Sequence, residues 1–261
     1  MDGLAGQVAL VTGVSRRAGI GFAIAQRLLG DGASVFCQSW SPHDAGQPWG
    51  ADPVGITGVI DALGAPDDRV GHVALDLGDA ANAERLMSSA VETFGHVDLL
   101  IVNHAHSSAQ SLSSMTVEEL DRSWAVNARA SVLLVQSFAA QHDDDRAGGR
   151  VVLFTSGQHR EPMSAELPYA ISKGAIHQMT LTLADALADR GITVNTLNPG
   201  PTDTGWASPD VATRVKASMP RGRWNTPDEI AAVVGWLVSA DAAIVTGQVI
   251  DAESGFRRWA T

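Results

Sequence analysis

Short apolar runs alternate along the chain with longer stretches in which apolar residues recur at helical spacing. The runs Gln7–Thr12, Ala33–Ser39, His72–Leu75, Val97–Val102, Val151–Phe154, Ile192–Leu197 and Gly247–Asp251 have strand length and little polar alternation, as expected of buried strands. Helices are predicted at Phe22–Leu29 with Gly30 as stop, near Val59–Leu63, at Asp79–Thr93, and from Thr116 through Asn127 towards Phe138. A further helix carries Tyr169 and runs to Asp189–Arg190, ending at Gly191. The last opens on Thr226-Pro227-Asp228-Glu229, a capping residue, a proline at the first helical position and two acids beside the positive end of the helix dipole. Val97–Val102 is the most apolar run and is expected at the centre of a sheet. Residues 205–219 read as a mobile flap carrying Trp206.

Composition narrows this pattern. At 261 residues the chain is long enough for a large core in one α/β domain or two small ones. It shows no internal repeat, low-complexity segment or interdomain linker, so one domain over 1–261 is expected. A formal charge of −11 argues against nucleic acid and anionic membranes as partners, since both call for a basic surface. Cys37 is the single cysteine and sits in an apolar run; it reads as a core residue and excludes a disulfide framework. No apolar run approaches the ~18 residues of a membrane span. The opening MDGLAGQVALVTG has no basic start followed by an apolar stretch, and a cytoplasmic location is expected.

The candidate chemistry lies in Ser156–Lys173. Tyr169, the only tyrosine, precedes Lys173 by four positions, so phenol and ammonium share a helix face. Ser156 follows the run Val151–Phe154, which places a strand-end hydroxyl near both. A phenol has an ordinary pKa near 10. A lysine charge at ~5 Å, in an effective dielectric of ~20, favours the phenolate by about 3 kcal/mol, or roughly two pKa units. Tyr169 would then exchange a proton with a carbonyl or alcohol oxygen that Ser156 orients. The bland alternative is a tyrosine at the core's edge beside a solvated lysine.

A phosphate-binding turn is read at the other end of the chain. Gln7–Thr12 leads into Gly13-Val14-Ser15-Arg16-Arg17-Ala18-Gly19-Ile20-Gly21 and then a helix. Strand, glycine-rich turn and helix open a dinucleotide-binding βαβ unit, with backbone N–H groups facing a pyrophosphate. No acid stands at Ser39-Trp40-Ser41, where an NAD-selecting carboxylate is expected. Arg16 and Arg17 would pair with a 2′-phosphate. NADP(H) is therefore favoured over NAD(H), which stays open if the arginines are only surface.

Other residues take secondary readings. The loop 41–58, rich in Pro and Gly and carrying Trp49, reads as a structural insertion, with contact to cofactor or a neighbouring subunit as the alternative. Asp76-Leu77 end the third strand, where an acid holds an adenine amino group or caps the following helix. Asn103-His104-Ala105-His106 end the central strand; lacking a third ligand of matching spacing, the two histidines are read as lining the crevice rather than as a metal site. Asn127 lies among apolar neighbours and needs a polar partner, because an unpaired buried group costs about 1–3 kcal/mol. In Asn198-Pro199-Gly200-Pro201-Thr202-Asp203-Thr204 the hydroxyls would bond a carboxamide or phosphate. Gln158, His106, Met163 and Trp206 are substrate-side candidates, and Met219 a possible pocket wall or core residue.

Together these residues resemble the short-chain dehydrogenase/reductase family along nearly the whole chain. Its TGxxxGxG becomes Thr12-Gly13, five residues, Gly19-Ile20-Gly21, and is two residues longer; its NNAG becomes NHAH at 103–106. Its helix Asn, strand-end Ser, YxxxK and PG match Asn127, Ser156, Tyr169 with Lys173, and Pro199-Gly200. The resemblance implies a single Rossmann-type, doubly wound parallel sheet of about seven strands with helices on both faces. It also implies that Lys173 holds the nicotinamide ribose, that Asn127 anchors a relay water, and that the protein is a homotetramer built on helix pairs, or a homodimer. The Tyr-to-Lys spacing is that of carbonyl reductases rather than enoyl reductases. Within the family the chain is most similar to members labelled 3-oxoacyl-[acyl-carrier-protein] reductase, which implies a small-molecule or acyl-carrier-bound carbonyl substrate. The same chemistry on a sugar, steroid or other secondary alcohol, or a catalytically silent NAD(P)-binding sensor, are the competing readings.

Overall fold

The computed structural model describes residues 3–146 and 148–258. Each apolar run becomes a strand: β1 Val8–Thr12, β2 Ser34–Ser39, β3 Val70–Ala74, β4 Leu99–Val102, β5 Arg150–Phe154, β6 Thr193–Asn198 and β7 Val249–Asp251. They form one sheet in the order β3-β2-β1-β4-β5-β6-β7, parallel at every pairing. Successive strands are added outward from β1 to one edge and from β4 to the other. A crevice opens at the carboxyl ends of β1 and β4, where the winding reverses. β4, the most apolar run, is the middle strand.

The helices are α1 Ile20–Gly30, α2 Ser41–Ala45, α3 Gly55–Asp61, α4 Ala81–Phe94, α5 Val117–Ser123, α6 Ala130–Gln141, α7 Leu167–Ala188, α8 Pro209–Ser218 and α9 Pro227–Val238. They divide between two cores because strand side chains alternate between faces. Ala9, Val11, Leu99 and Ile101 pack with Ile24 and Leu28 of α1 and with Ile230 and Val234 of α9. Val8, Leu10, Leu100 and Val102 pack on the opposite face with Leu86 of α4, Leu134 and Phe138 of α6 and Ile176 of α7. Cys37 lies fully buried in the first core, where desolvation pushes its thiol up to about 12 and leaves it inert.

Local signals at helix ends hold. Thr226 and Glu229 form the reciprocal cap expected from their spacing, and Gly191 takes a positive φ just past α7. The helix predicted from Thr116 to Phe138 is instead α5 and α6 joined by a π-helical turn, Trp124–Arg129. Apolar spacing does not reveal the extra residue of such a turn. The flap 205–219 contains α8, capped by Ser208. Among the described residues no helix is long and apolar enough to cross a membrane.

Candidate active site

The glycine turn brings β1, α1 and the end of β4 close together. Gly13 has φ 76°, and a side chain there would come within 2.9 Å of Asn103 Nδ2 and the His104 Cα. A methyl on Gly21 would sit 2.4 Å from the Gly13 carbonyl oxygen. Two glycines therefore seat the first turn of α1 directly on the strand end. Gly19, the N-cap of α1, brings no side-chain acceptor to that turn, so its N–H groups are left for an anion.

This turn walls a cavity of about 230 Å³ lined by Gly13, Ser15, Arg16, Gly19, Ile20, Trp40, Asp76, Leu77, Asn103, Ala105, His106 and Thr204 from the sequence expectation. His104 joins His106 in the wall, as read for both histidines, while Gln38, His43, Asp44, Arg122 and Val126 complete it and were not named as contacts. A concave site at the winding reversal, with a helix N-terminus and glycine backbone in its wall, fits a dinucleotide.

Several expected contacts fall elsewhere. Ser39 is fully buried and its hydroxyl bonds His72 at 2.8 Å. Strand alternation sends Gln38 and Trp40 to the cavity and Ser39 away from it, so the serine side chain is not a cofactor contact. Arg17 is absent from the cavity wall; its fork closes on Asp52 at 3.0–3.2 Å. Gly21, Pro199, Gly200 and Thr202 are not among the residues that line the cavity, and Thr202 spends its hydroxyl proton on the Pro199 and Gly200 carbonyls. Asp76 pairs with Arg122 at 3.0 Å and accepts the Gly78 N–H. The loop 41–58 is more than an insertion: His43 and Asp44 line the cavity, and Trp49 donates to Asp44 at 3.0 Å.

His104 and His106 both line the cavity, with different duties. His104 Nε2 donates to the Val126 carbonyl at 2.9 Å, which leaves Nδ1 to accept from Thr12 Oγ1 at 2.8 Å. The ring thus staples β1 to the π-turn, and burial holds its pKa down to about 4. Between pH 6.5 and 4 the unfolded chain binds a proton that the folded chain refuses, so stability falls as pH drops through that window. From pH 7 to 5 the wild type is expected to lose about 2 kcal/mol more than His104→Asn, read as the shift in urea midpoint. Equal losses would refute this. His106 pairs with Glu119 at 2.8 Å, and its ring lies 5.1 Å from that of His43.

Beyond this wall lies the Ser156, Tyr169 and Lys173 group, which Asn127 connects to the cavity. Asn127 is fully buried; it accepts from the His106 N–H at 2.7 Å and donates to the His106 carbonyl at 3.0 Å and to Ser172 Oγ at 2.9 Å. Ser172 donates on to the Tyr169 carbonyl. Both Asn127 side-chain groups are thus satisfied by protein. Thr155 Oγ1 bonds the Lys173 carbonyl, tying the end of β5 to α7. Gln158 accepts from the Ser156 N–H and donates to Thr155, so its amide supports the Ser156 loop. Met163 and Trp206 are outside the cavity wall; Trp206 stacks edgewise on Trp224 at 5.8 Å, and Met219 is core.

The electrostatics reverse one expectation. Lys173 is 2% exposed, donates to the Phe154 carbonyl at 2.8 Å, and is pushed down to about 7 by burial. Tyr169 keeps part of its surface open, yet its phenol is pushed up to about 12, by desolvation first. A hydrogen bond with Ser156 pulls the other way and the Glu166 charge adds to the rise. Lys173 Nζ is 5.7 Å from the Tyr169 ring centre. The lysine has the expected position, but burial weakens its hold on the proton, and desolvation of the phenol outweighs any help from its charge. Spacing predicts the distance between two groups; it does not predict how dry they are.

The family described as Enoyl-(Acyl carrier protein) reductase matches residues 13–257. An oxidoreductase of Bacillus subtilis (strain 168), YjdA, is 35% identical over 253 residues, 97% of each chain. The short-chain dehydrogenase/reductase from Serratia marcescens BCRC 10948 superposes with a TM-score of 0.85 at 31% identity, covering 97% of this chain and 98% of that one. The angucycline C-6 ketoreductase LanV, solved with bound NADP, superposes with a TM-score of 0.84 at 33% identity, covering 97% and 96%.

Proposed function

The chain belongs to the short-chain dehydrogenase/reductase family of NAD(P)-dependent oxidoreductases, and from that premise we propose that it interconverts a ketone and a secondary alcohol with Tyr169 as general acid and base. The observation that carries this is the buried Lys173 Nζ, 5.7 Å from the Tyr169 ring centre and bonded to the Phe154 carbonyl at the end of β5, two residues before Ser156. A nicotinamide cofactor, when bound, would supply or accept the hydride. Gly13, Ser15, Gly19, Ile20, Trp40, Asp76, Leu77, Asn103, Ala105 and Thr204 would hold the dinucleotide from the cavity wall. Tyr169 gives its proton to the carbonyl oxygen, Ser156 holds that oxygen, and Lys173, dry and easily deprotonated, receives and returns protons behind the phenol. Asn127 fixes His106 and α7 in one frame, so wall and catalytic group keep their spacing.

The finer assignments rest on particular residues. The four-residue step from Tyr169 to Lys173 supports C=O over C=C reduction. NADP(H) is the favoured cofactor, because Arg16 lines the cavity and Ser39–Ser41 hold no acid; LanV, with its NADP, is in keeping. A 3-oxoacyl group on a carrier protein is one substrate of the right chemistry. However, of the basic residues Arg214, Lys216, Arg221 and Arg223 in and after α8, Arg221 and Arg223 both close on Glu229, which weakens the group as a docking patch for an acidic carrier, and we favour a small ketone. The exposed Val132 of α6 and Ile171 and Leu181 of α7 support a homotetramer paired through these helices, or a homodimer. The buried thiol of Cys37 suits a cytoplasmic enzyme.

Purified protein should oxidise NADPH in the presence of members of a panel of small ketones, followed at the nicotinamide absorbance. Turnover of none of them, with NADPH bound, would instead favour a sensor.

A further inference from the structure

We propose that Asp44 sets the choice between phosphorylated and unphosphorylated dinucleotide by occupying the guanidinium that a 2′-phosphate needs, an inference that rests on the NADP(H) reading above. Asp44 stands five residues past the end of β2, in α2, and lines the same cavity as Arg16, Trp40 and His43. Its Oδ1 lies 3.3 Å from Arg16 Nε and accepts the Trp49 indole N–H at 3.0 Å. Both side chains of the pair are largely enclosed, at 15% and 14% exposure. Arg16 Nη2 donates to the Thr204 carbonyl at 2.9 Å. The acid missing from the strand end thus reaches the cavity from the loop that follows.

Charge and geometry act in the same direction. A phosphate takes a guanidinium through its fork of parallel N–H groups, and here Nε already faces a carboxylate and Nη2 a carbonyl. A dianionic 2′-phosphate must share Arg16 with Asp44 and bear the repulsion of a like charge across a poorly solvated gap. A ribose 2′-hydroxyl carries no charge and can donate to the same carboxylate. Arg17 offers no substitute, since Asp52 of the same loop holds its fork outside the cavity. The loop 41–58 therefore neutralises both arginines of the glycine turn and blunts the preference for NADP(H).

Isothermal titration of NADP⁺ and NAD⁺ into wild type, Asp44→Asn, Asp44→Ser and Arg16→Gln separates the two ideas without relying on turnover. Both Asp44 variants, folded by near-ultraviolet circular dichroism, are expected to bind NADP⁺ about ten-fold tighter while NAD⁺ binding does not improve. Asparagine keeps an acceptor for Trp49 and serine removes it, so agreement between the variants assigns the effect to the charge. If Arg16→Gln weakens NADP⁺ but the Asp44 variants leave the NADP⁺ to NAD⁺ ratio unchanged, Asp44 is no selector and the Arg16 reading survives. If Arg16→Gln leaves NADP⁺ binding unchanged, the NADP(H) reading itself falls. Equal tightening of both nucleotides in the Asp44 variants would also overturn the proposal, because it would report a cavity made easier to enter.

Discussion

Tyr169→Phe is expected to lower turnover with any accepted ketone by about 10²- to 10⁴-fold, the range of positioned proton transfer. Ring packing in α7 is kept and only the hydroxyl is lost, so the folded structure and the cavity between β1 and β4 should persist. The direction of reaction should matter in wild type. A phenol held up near 12 stays protonated at neutral pH, which suits donation to a carbonyl oxygen during reduction. Alcohol oxidation needs the phenolate, so its rate should climb with pH well beyond neutrality while reduction stays level. Steady-state rates in both directions from pH 6 to 10, for wild type and Tyr169→Phe, check both statements. Near wild-type rates in the variant would remove Tyr169 from the mechanism.

Lys173→Met should separate catalysis from stability. Turnover is expected to fall by about 10²-fold or more, since the proton route behind the phenol is gone. Stability should respond in a pH-dependent way. The folded lysine sits near 7 against an ordinary value of 10.5, so between these limits the unfolded chain carries the extra proton. Stability therefore rises as pH climbs from 7 to 10.5, and the full cost of drying the ammonium, of the order of 5 kcal/mol, is present below 7. Methionine has no such titration. Its midpoint of thermal unfolding relative to wild type should be highest near pH 6–7 and decline towards pH 10, where loss of the Lys173 bond to Phe154 remains as a deficit. A difference constant across that range would mean that the lysine is solvated.

Sequence and structure agree where local rules decide. Runs such as Leu99–Val102 are apolar without alternation because both faces of β4 are covered, and that is legible in one dimension. The reciprocal cap at Thr226 and Glu229 is legible for the same reason: both partners lie within one turn. Asp44 was hidden because it reaches the cavity through the path of a loop, and Arg122 because it meets Asp76 only in the folded chain. Ser39 was misplaced although a period of two, applied through Trp40, turns it away from the cavity. The pKa of Tyr169 was inverted for a physical reason. The lysine's charge and its distance follow from spacing, whereas desolvation of both groups depends on everything packed around them.

The segment beyond β7 has a consequence for how the enzyme comes into being. Glu253 is buried, accepts from Asn198 Nδ2 at 2.7 Å and lies against Gly200, whose φ is 60°. Arg258 then clasps Glu253 and lies against Gly157, beside Ser156. During synthesis the strands through β6 can assemble on the ribosome, but the floor beneath Pro199–Gly200 and the clamp on the serine loop are delivered only when residues 251–258 emerge. A nascent chain stalled before that point should carry a sheet and no competent enzyme.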